Sequence, residues 1–367
     1  MIDNGGYRQF DWGLLLLVLL IGIAGVIVLY SASASEFDSI QNMVFVKQIV
    51  WLGIGFVLVL VCLLFNYKSL DGWAMAIYVL NIALLVCVIY WGREAGGSRR
   101  WIPLGPFTIQ PSELMKITIT IILARYYTRH SSMEGLTLRS LFLPMVLTLV
   151  PFALIVAQPD LGTAMLILLI AASITVFVKI EKRTIGVLSG LLVILVPVVW
   201  TFLLKSYQKQ RILTFFTPDR DPLGAGYHII QSKIAIGSGM IFGKGFMKGT
   251  QNALAFLPEQ HTDFILSVLA EEWGFVGTSV VLLLYLLVII WGVSIAYQCR
   301  DVFGIILAVG ISAMIFWQVF INMGMVMGLM PVVGVPLPLI SYGGSSVVTF
   351  MLGIGILINI SIKRLGV

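Results

Sequence analysis

The chain reads as an all-α, polytopic integral membrane protein with ten transmembrane helices, on three observations. Hydrophobic residues fill 59% of its 367 positions and charged residues only 11%. Mean hydropathy is +1.02, more apolar surface than a soluble domain of this size has use for. Ten apolar runs recur along the chain, several reaching the roughly 20 residues that cross a bilayer. Such continuous runs exclude a β-barrel, whose strands alternate apolar and polar residues.

The runs fall at about 14–30, 44–65, 72–91, 110–127, 141–157, 161–178, 185–204, 275–297, 303–329 and 341–362. The first leads straight into further spans, so it is a transmembrane helix and not a cleavable signal. An even number of crossings leaves both termini on one side. Arg8, Lys68, Arg125, Arg129, Arg139, Lys179, Lys182, Arg183, Arg300, Lys363 and Arg364 lie on that side. The short loops opposite hold Lys47, Arg93, Arg99 and Arg100, eleven cations against four. The positive-inside rule therefore makes both termini cytoplasmic. The net charge of +6 comes largely from these loops, where it meets anionic lipid and not nucleic acid. Cys62, Cys87 and Cys299 sit in or at the ends of apolar runs, without disulfide or metal spacing.

Between the seventh and eighth runs lies one long outer loop, about 205–274, rich in Gly and cations. Loops of this length are usually functional or disordered. Apolar patches at Tyr227–Ile230 and Ile234–Ile236 argue for short surface helices, ended by the glycine clusters at 237–239 and 243–249. The whole of 1–367 is read as a single transmembrane domain, with no internal repeat of the kind that inverted-repeat transporters carry.

Polar groups gather on the outer side. Glu259, His261, Asp263, Glu271 and Glu272 crowd a stretch of 21 residues, LPEQHTDFILSVLAEEWGFVG. At a membrane boundary such a cluster usually serves a function. Asp263 is the leading candidate, although capping of the eighth helix is the plainer reading for it. Glu271 and Glu272 read as structural or partner-facing. Arg99 and Arg100 beside Trp101 suit phosphate recognition or an interface anchor. Glu113 and Lys116, three apart, share a helical face and can pair. Asp160, in the turn Gln158-Pro159-Asp160, is an N-cap or a second acid in the cavity. A divalent cation (Mg or Mn) is left open, with Asp160 and Asp263 as its candidate ligands. Ser341, Gly343, Gly344, Ser345 and Ser346 break a helix and bare backbone N–H groups to an anion. An outward cavity with acids, cations and amides suits a lipid-linked phosphate, with a carboxylate as general base. A lipid flippase also needs a polar cavity, but along its whole path; here most mid-span positions are apolar.

Taken in order, Gln110-Pro111-Ser112-Glu113, Gln158-Pro159-Asp160-Leu161-Gly162-Thr163, Asp221-Pro222-Leu223-Gly224-Ala225-Gly226-Tyr227, Gln231–Gly239, Leu257-Pro258-Glu259 with His261-Thr262-Asp263-Phe264, and Pro338–Ser346 resemble the SEDS family (shape, elongation, division and sporulation proteins), its rod-shape members most. The resemblance covers nearly the whole chain. It implies a peptidoglycan glycosyltransferase of the bacterial cytoplasmic membrane that polymerises lipid II at the outer face during elongation. It implies Asp263 as the base on the attacking hydroxyl. Arg100, Lys116 and Arg99 would hold pyrophosphate, Glu113 would position Lys116, and Asp160 would support the cavity. His261, Ser341 and Ser345 complete the expected substrate contacts. The implied partners are a class B penicillin-binding protein, a monofunctional transpeptidase, and other rod-complex membrane proteins. Division and sporulation members share most of these motifs, and a lipid II flippase is the rival activity. One departure is Met240, where relatives usually carry a third glycine after Ser238-Gly239; its Cβ restricts the backbone there.

Overall fold

The computed structural model describes residues 10–34, 41–95, 98–105, 107–130, 135–198, 200–201, 208–209, 213–215, 217, 225–253 and 260–363. Seven long helices run in order as α1 (Trp12–Ala34), α2 (Gln41–Leu64), α3 (Ser69–Trp91), α4 (Pro111–His130), α5 (Leu138–Ala157), α6 (Leu161–Phe177) and α7 (Lys182–Val198). Two shorter helices follow, α8 (Ala225–Ser238) and α9 (Thr250–Ala253), then α10 (Ile265–Gln298), α11 (Val302–Val326) and α12 (Gly344–Lys363). Seven of them, α1, α2, α3, α5, α10, α11 and α12, are long and apolar enough to cross a membrane. The other three expected spans differ for visible reasons. Helix α4 carries Glu113, Lys116, Arg125 and Arg129, and α6 and α7 are 17 residues each.

The bundle is apolar on its outside as well as in its core. Helices α4, α11 and α12 form its interior, while Leu16, Val57, Leu60, Leu80, Phe142, Val193 and Leu283 stand exposed on the surrounding helices. Such a coat suits lipid and would be an aggregation patch in water. Helix α12 packs along α2, α11 along α10, and α4 against α3, α6 and α11.

Two prolines inside α5, Pro144 and Pro151, each remove an N–H and free the carbonyl four residues earlier. Neighbouring tyrosines replace the lost donors: Tyr126 Oη donates to Ser140 O at 2.6 Å and Tyr78 Oη to Leu147 O at 3.0 Å. Prolines survive in an apolar helix when such partners exist.

The all-α expectation misses one feature. Between α3 and α4, β1 (Arg93–Ala95), β2 (Ser98–Leu104) and β3 (Phe107–Ile109) form a small antiparallel sheet in the order β1-β2-β3. Its residues include Trp101, Ile102, Phe107, Thr108 and Ile109, side chains that favour a pleated surface. The eighth expected span also begins ten residues early. Helix α10 joins 265–273 to the apolar run across Gly274, whose φ of 64° and ψ of −161° is open to glycine and strained for other residues. Met240, singled out above for its Cβ, adopts φ 47° in the turn after α8, a backbone region that a side chain disfavours.

Candidate functional site

The start of α4, the turn before α6, the turn before α10 and the start of α12 meet at the sheet end of the bundle. Asp160 is buried there and caps α6, accepting from Thr163 N at 3.3 Å. Its other oxygen accepts from Gln110 Nε2 at 2.9 Å and Ser112 Oγ at 3.2 Å. Arg100 reaches over from β2, with Nη1 3.9 Å from Asp160 Oδ1, Nε donating to Gln158 O at 3.2 Å, and Nη2 donating to Pro159 O. Asp160 is thus both a helix cap and the hub of a polar knot. Adjacent strand residues stand on opposite faces, so Arg99, which is exposed, does not share the surroundings of Arg100.

One turn into α4, Glu113 and Lys116 form the expected pair. Lys116 is 0% and Glu113 3% exposed, and Nζ lies 2.8 Å from Glu113 Oε2. A second donor of Lys116 goes to Gln318 Oε1 on α11 at 3.1 Å. Gln318 Nε2 in turn donates to Pro336 O and to Ser346 Oγ, both at 3.1 Å. The cation is therefore sealed behind the start of α12 and acts on its surroundings through its field.

Asp263 lies in the turn 260–264, half-buried, and Phe264 occupies the N-cap position of α10. Asp263 Oδ2 lies 3.3 Å from where a Cβ on Gly334 would stand. Gly334 has φ 72°, so glycine permits the turn, and a side chain there would crowd the carboxylate. The expected residue Ser341 is a latch: it donates to Thr262 O at 2.5 Å and accepts from Leu337 N at 2.7 Å. His261 contributes its carbonyl, which accepts from Tyr342 N at 2.8 Å. Ser345 joins the sheet to α12, accepting from Gln110 N at 3.0 Å and donating to Thr108 O at 3.4 Å. Gln48 Nε2 on α2 holds Leu339 O at 3.1 Å and Ser341 O at 3.2 Å, and Tyr285 Oη donates to Pro338 O.

The acids at 271 and 272 organise the loop after α8. Glu271 is 0% exposed, and its Oε1 accepts from Lys244 Nζ at 2.7 Å, Thr250 N at 2.8 Å and Gln251 N at 3.1 Å. Glu272 Oε1 accepts from Ser31 Oγ of α1 at 2.5 Å. Removing one partner from such a buried cluster strands the others, at about 1–3 kcal/mol for each group left unpaired. Glu271→Ala is therefore expected to lower thermal stability by about 2 kcal/mol or more. It should also open the chain after Lys244 and Lys248 to trypsin; unchanged digestion would disprove this clamp.

Of the two candidate metal carboxylates, Asp160 has hydrogen-bond donors on both oxygens and Arg100 beside it, a setting that suits a cap better than a cation ligand, while Asp263 is half-buried. Among the described residues no three His, Cys, Asp or Glu side chains gather as metal ligands. Glu259, Gly96, Gly97 and Asp221–Gly224 lie outside the described residues. Sequence reading overlooked Gln48, Gln318 and Asn322, buried amides in apolar runs. The spacing of Gln318 and Asn322, four apart on one face of α11, was the signal available.

The FtsW/RodA/SpoVE family model, described as cell cycle protein, matches residues 11–365. The peptidoglycan glycosyltransferase MrdB of Escherichia coli K12 is 41% identical over 370 residues, covering 99% of this chain and 98% of its own. Peptidoglycan glycosyltransferase RodA of Treponema pallidum is 35% identical over 432 residues, with 98% and 99% covered. Among solved structures, a chain of a peptidoglycan synthase complex that coordinates polymerization and crosslinking aligns with TM-score 0.83 and 32% identity, over 98% of this chain and 99% of that one. Rod shape determining protein RodA of Thermus thermophilus aligns with TM-score 0.72 and 30% identity, over 98% of each chain.

Proposed function

Because this chain belongs to the FtsW/RodA/SpoVE family of cell cycle proteins, we propose that it is a peptidoglycan glycosyltransferase that polymerises lipid II, with Asp263 as its base. The observation that carries this reading is the half-buried Asp263 beside Gly334, in a chain 41% identical over nearly its whole length to a protein of that name. The acceptor's sugar 4-hydroxyl gives its proton to Asp263 as its oxygen attacks the anomeric carbon of the growing strand. The new C–O bond forms as the bond to the lipid pyrophosphate breaks, with inversion. General-base help of this kind is worth about 10²–10⁴-fold.

The leaving pyrophosphate meets cations. Arg100 approaches it from the sheet, Arg99 adds positive charge from the exposed, opposite face of the same strand, and Lys116 adds positive potential from behind, held by Glu113. His261, Ser341, Ser345 and Asp160 shape the cavity by fixing the turns that form it. All ten long helices cross the membrane as one transmembrane domain over 1–367, the chain between α7 and α10 forming the outer loop. The termini are cytoplasmic, which puts the sheet end and Asp263 on the outer face of the bacterial cytoplasmic membrane. The eleven-to-four distribution of Lys and Arg supports this orientation. The chain works with a class B penicillin-binding protein within the elongation machinery; similarity to a subunit of a peptidoglycan synthase complex supports that assignment.

The test is glycan polymerisation from purified lipid II in liposomes, with the partner's transpeptidase blocked. Ladders of glycan strands are the expected product. Lipid II crossing the bilayer without polymer would replace the enzyme by a flippase.

A further inference from the structure

We propose that Asn322 is a positioning residue for the reaction, holding Asp263 at the depth where its carboxylate meets the acceptor hydroxyl. The proposal rests on the glycosyltransferase reading with Asp263 as base. Asn322 lies on α11 one turn beyond Gln318 and is 0% exposed. Its Nδ2 donates to Asp263 O at 3.0 Å and to Val335 O at 2.7 Å. One amide thus ties the turn that carries Asp263 to the segment that carries Gly334, against which Asp263 Oδ2 rests. Ser341 holds the neighbouring Thr262 and Tyr342 N holds His261, while Asn322 takes the carbonyl of Asp263 itself.

The amide's other end is informative. Among the described residues, Asn322 Oδ1 is buried with no hydrogen-bond partner, an unfavourable state for a carbonyl oxygen. Asn359 of α12 offers a direct contrast at the opposite end of the bundle. Its Nδ2 also clamps two carbonyls, Cys62 O at 2.5 Å and Phe65 O at 2.6 Å, but its Oδ1 accepts from Tyr67 N at 3.2 Å. Asn359 is a fully satisfied structural clamp. Asn322 keeps its two donated bonds while its acceptor goes unpaired, which points to the placement those two bonds enforce. A general base works only within hydrogen-bond reach of its proton, and a shift of about 1 Å can cost on the order of 10²-fold in rate.

The experiment measures kcat and KM for lipid II with the purified full-length chain and blocked transpeptidase partner. It compares wild type, Asn322→Ala, Asn322→Ser, Asn359→Ala and Asp263→Asn, each with its thermal unfolding temperature. Asn322→Ala is expected to lose kcat by about tenfold to 10²-fold while KM stays near wild type. Asn322→Ser keeps one donor and should fall between; it carries the comparison if the alanine variant does not fold. Asn359→Ala loses the same two donated bonds and should unfold earlier, yet turn over like wild type. Wild-type kcat in Asn322→Ala, or an equal kcat loss in Asn359→Ala, overturns the positioning role. Full polymerisation by Asp263→Asn overturns the base assignment and this proposal with it, whatever the Asn322 variants do.

Discussion

Asp263→Asn is expected to abolish glycan polymerisation, by on the order of 10²–10⁴-fold in kcat, while leaving fold and partner binding intact. The substitution keeps size and shape and removes only the group that takes a proton. Asp263 stands in a turn whose architecture depends on main-chain ties: Asn322 holds its carbonyl, Ser341 holds that of Thr262, and Tyr342 N holds that of His261. Each of those bonds is accepted by a main-chain carbonyl, which asparagine keeps, so the turn should survive the exchange. Polymer ladders from lipid II, read beside a thermal unfolding curve, check both halves of the claim. Undiminished ladders would leave Asp263 a structural residue and send the search for the base elsewhere.

The second large effect concerns stability. Lys116→Met is expected to cost about 3–5 kcal/mol, the usual consequence of stranding one partner of a buried ion pair. Glu113 is 3% exposed and would lose its counter-ion 2.8 Å away. Gln318 Oε1 would lose its donor as well. Replacing both partners, Glu113→Leu with Lys116→Met, removes the stranded charge, and should recover most of that loss. The double variant separates two roles. If the pair supplies potential to the pyrophosphate, the recovered protein should still polymerise poorly, because its folding no longer depends on the charges but its chemistry does. A double variant as unstable as Lys116→Met would show that the pair's neighbours, Gln318 and Ser346, need the cation for packing.

The local contacts of the charged side chains were partly legible one residue at a time. A Glu and a Lys three apart in an apolar run have little choice but to pair, and they do. An Asp after a Gln-Pro turn is well placed to cap the next helix, and Asp160 does. What each residue touches beyond its own helix was not legible. Lys116 meets Gln318 across 202 positions, and Glu272 meets Ser31 across 241. Periodicity reports the face a residue occupies and is silent on which helix lies opposite. The small sheet was missed for a related reason: its strands of three to seven residues are too short for an alternating pattern to stand out beside long apolar helices.

By itself, then, the sequence determined the membrane class, the helical runs and the identities of the acids and cations at one end of the bundle. Hydropathy and local spacing are properties of neighbouring residues, and they act before any tertiary contact forms. Tertiary structure alone decided which of those charges is sealed and which is reachable. Glu113, Lys116 and Asp160 disappear into hydrogen-bonded knots, while Asp263 is left half-buried against a glycine. It also made Gln318 and Asn322 matter. An amide in an apolar helix acquires a task only when the fold brings unpaired carbonyls and a lysine to it, because a buried polar group must find its partner wherever the chain happens to pass.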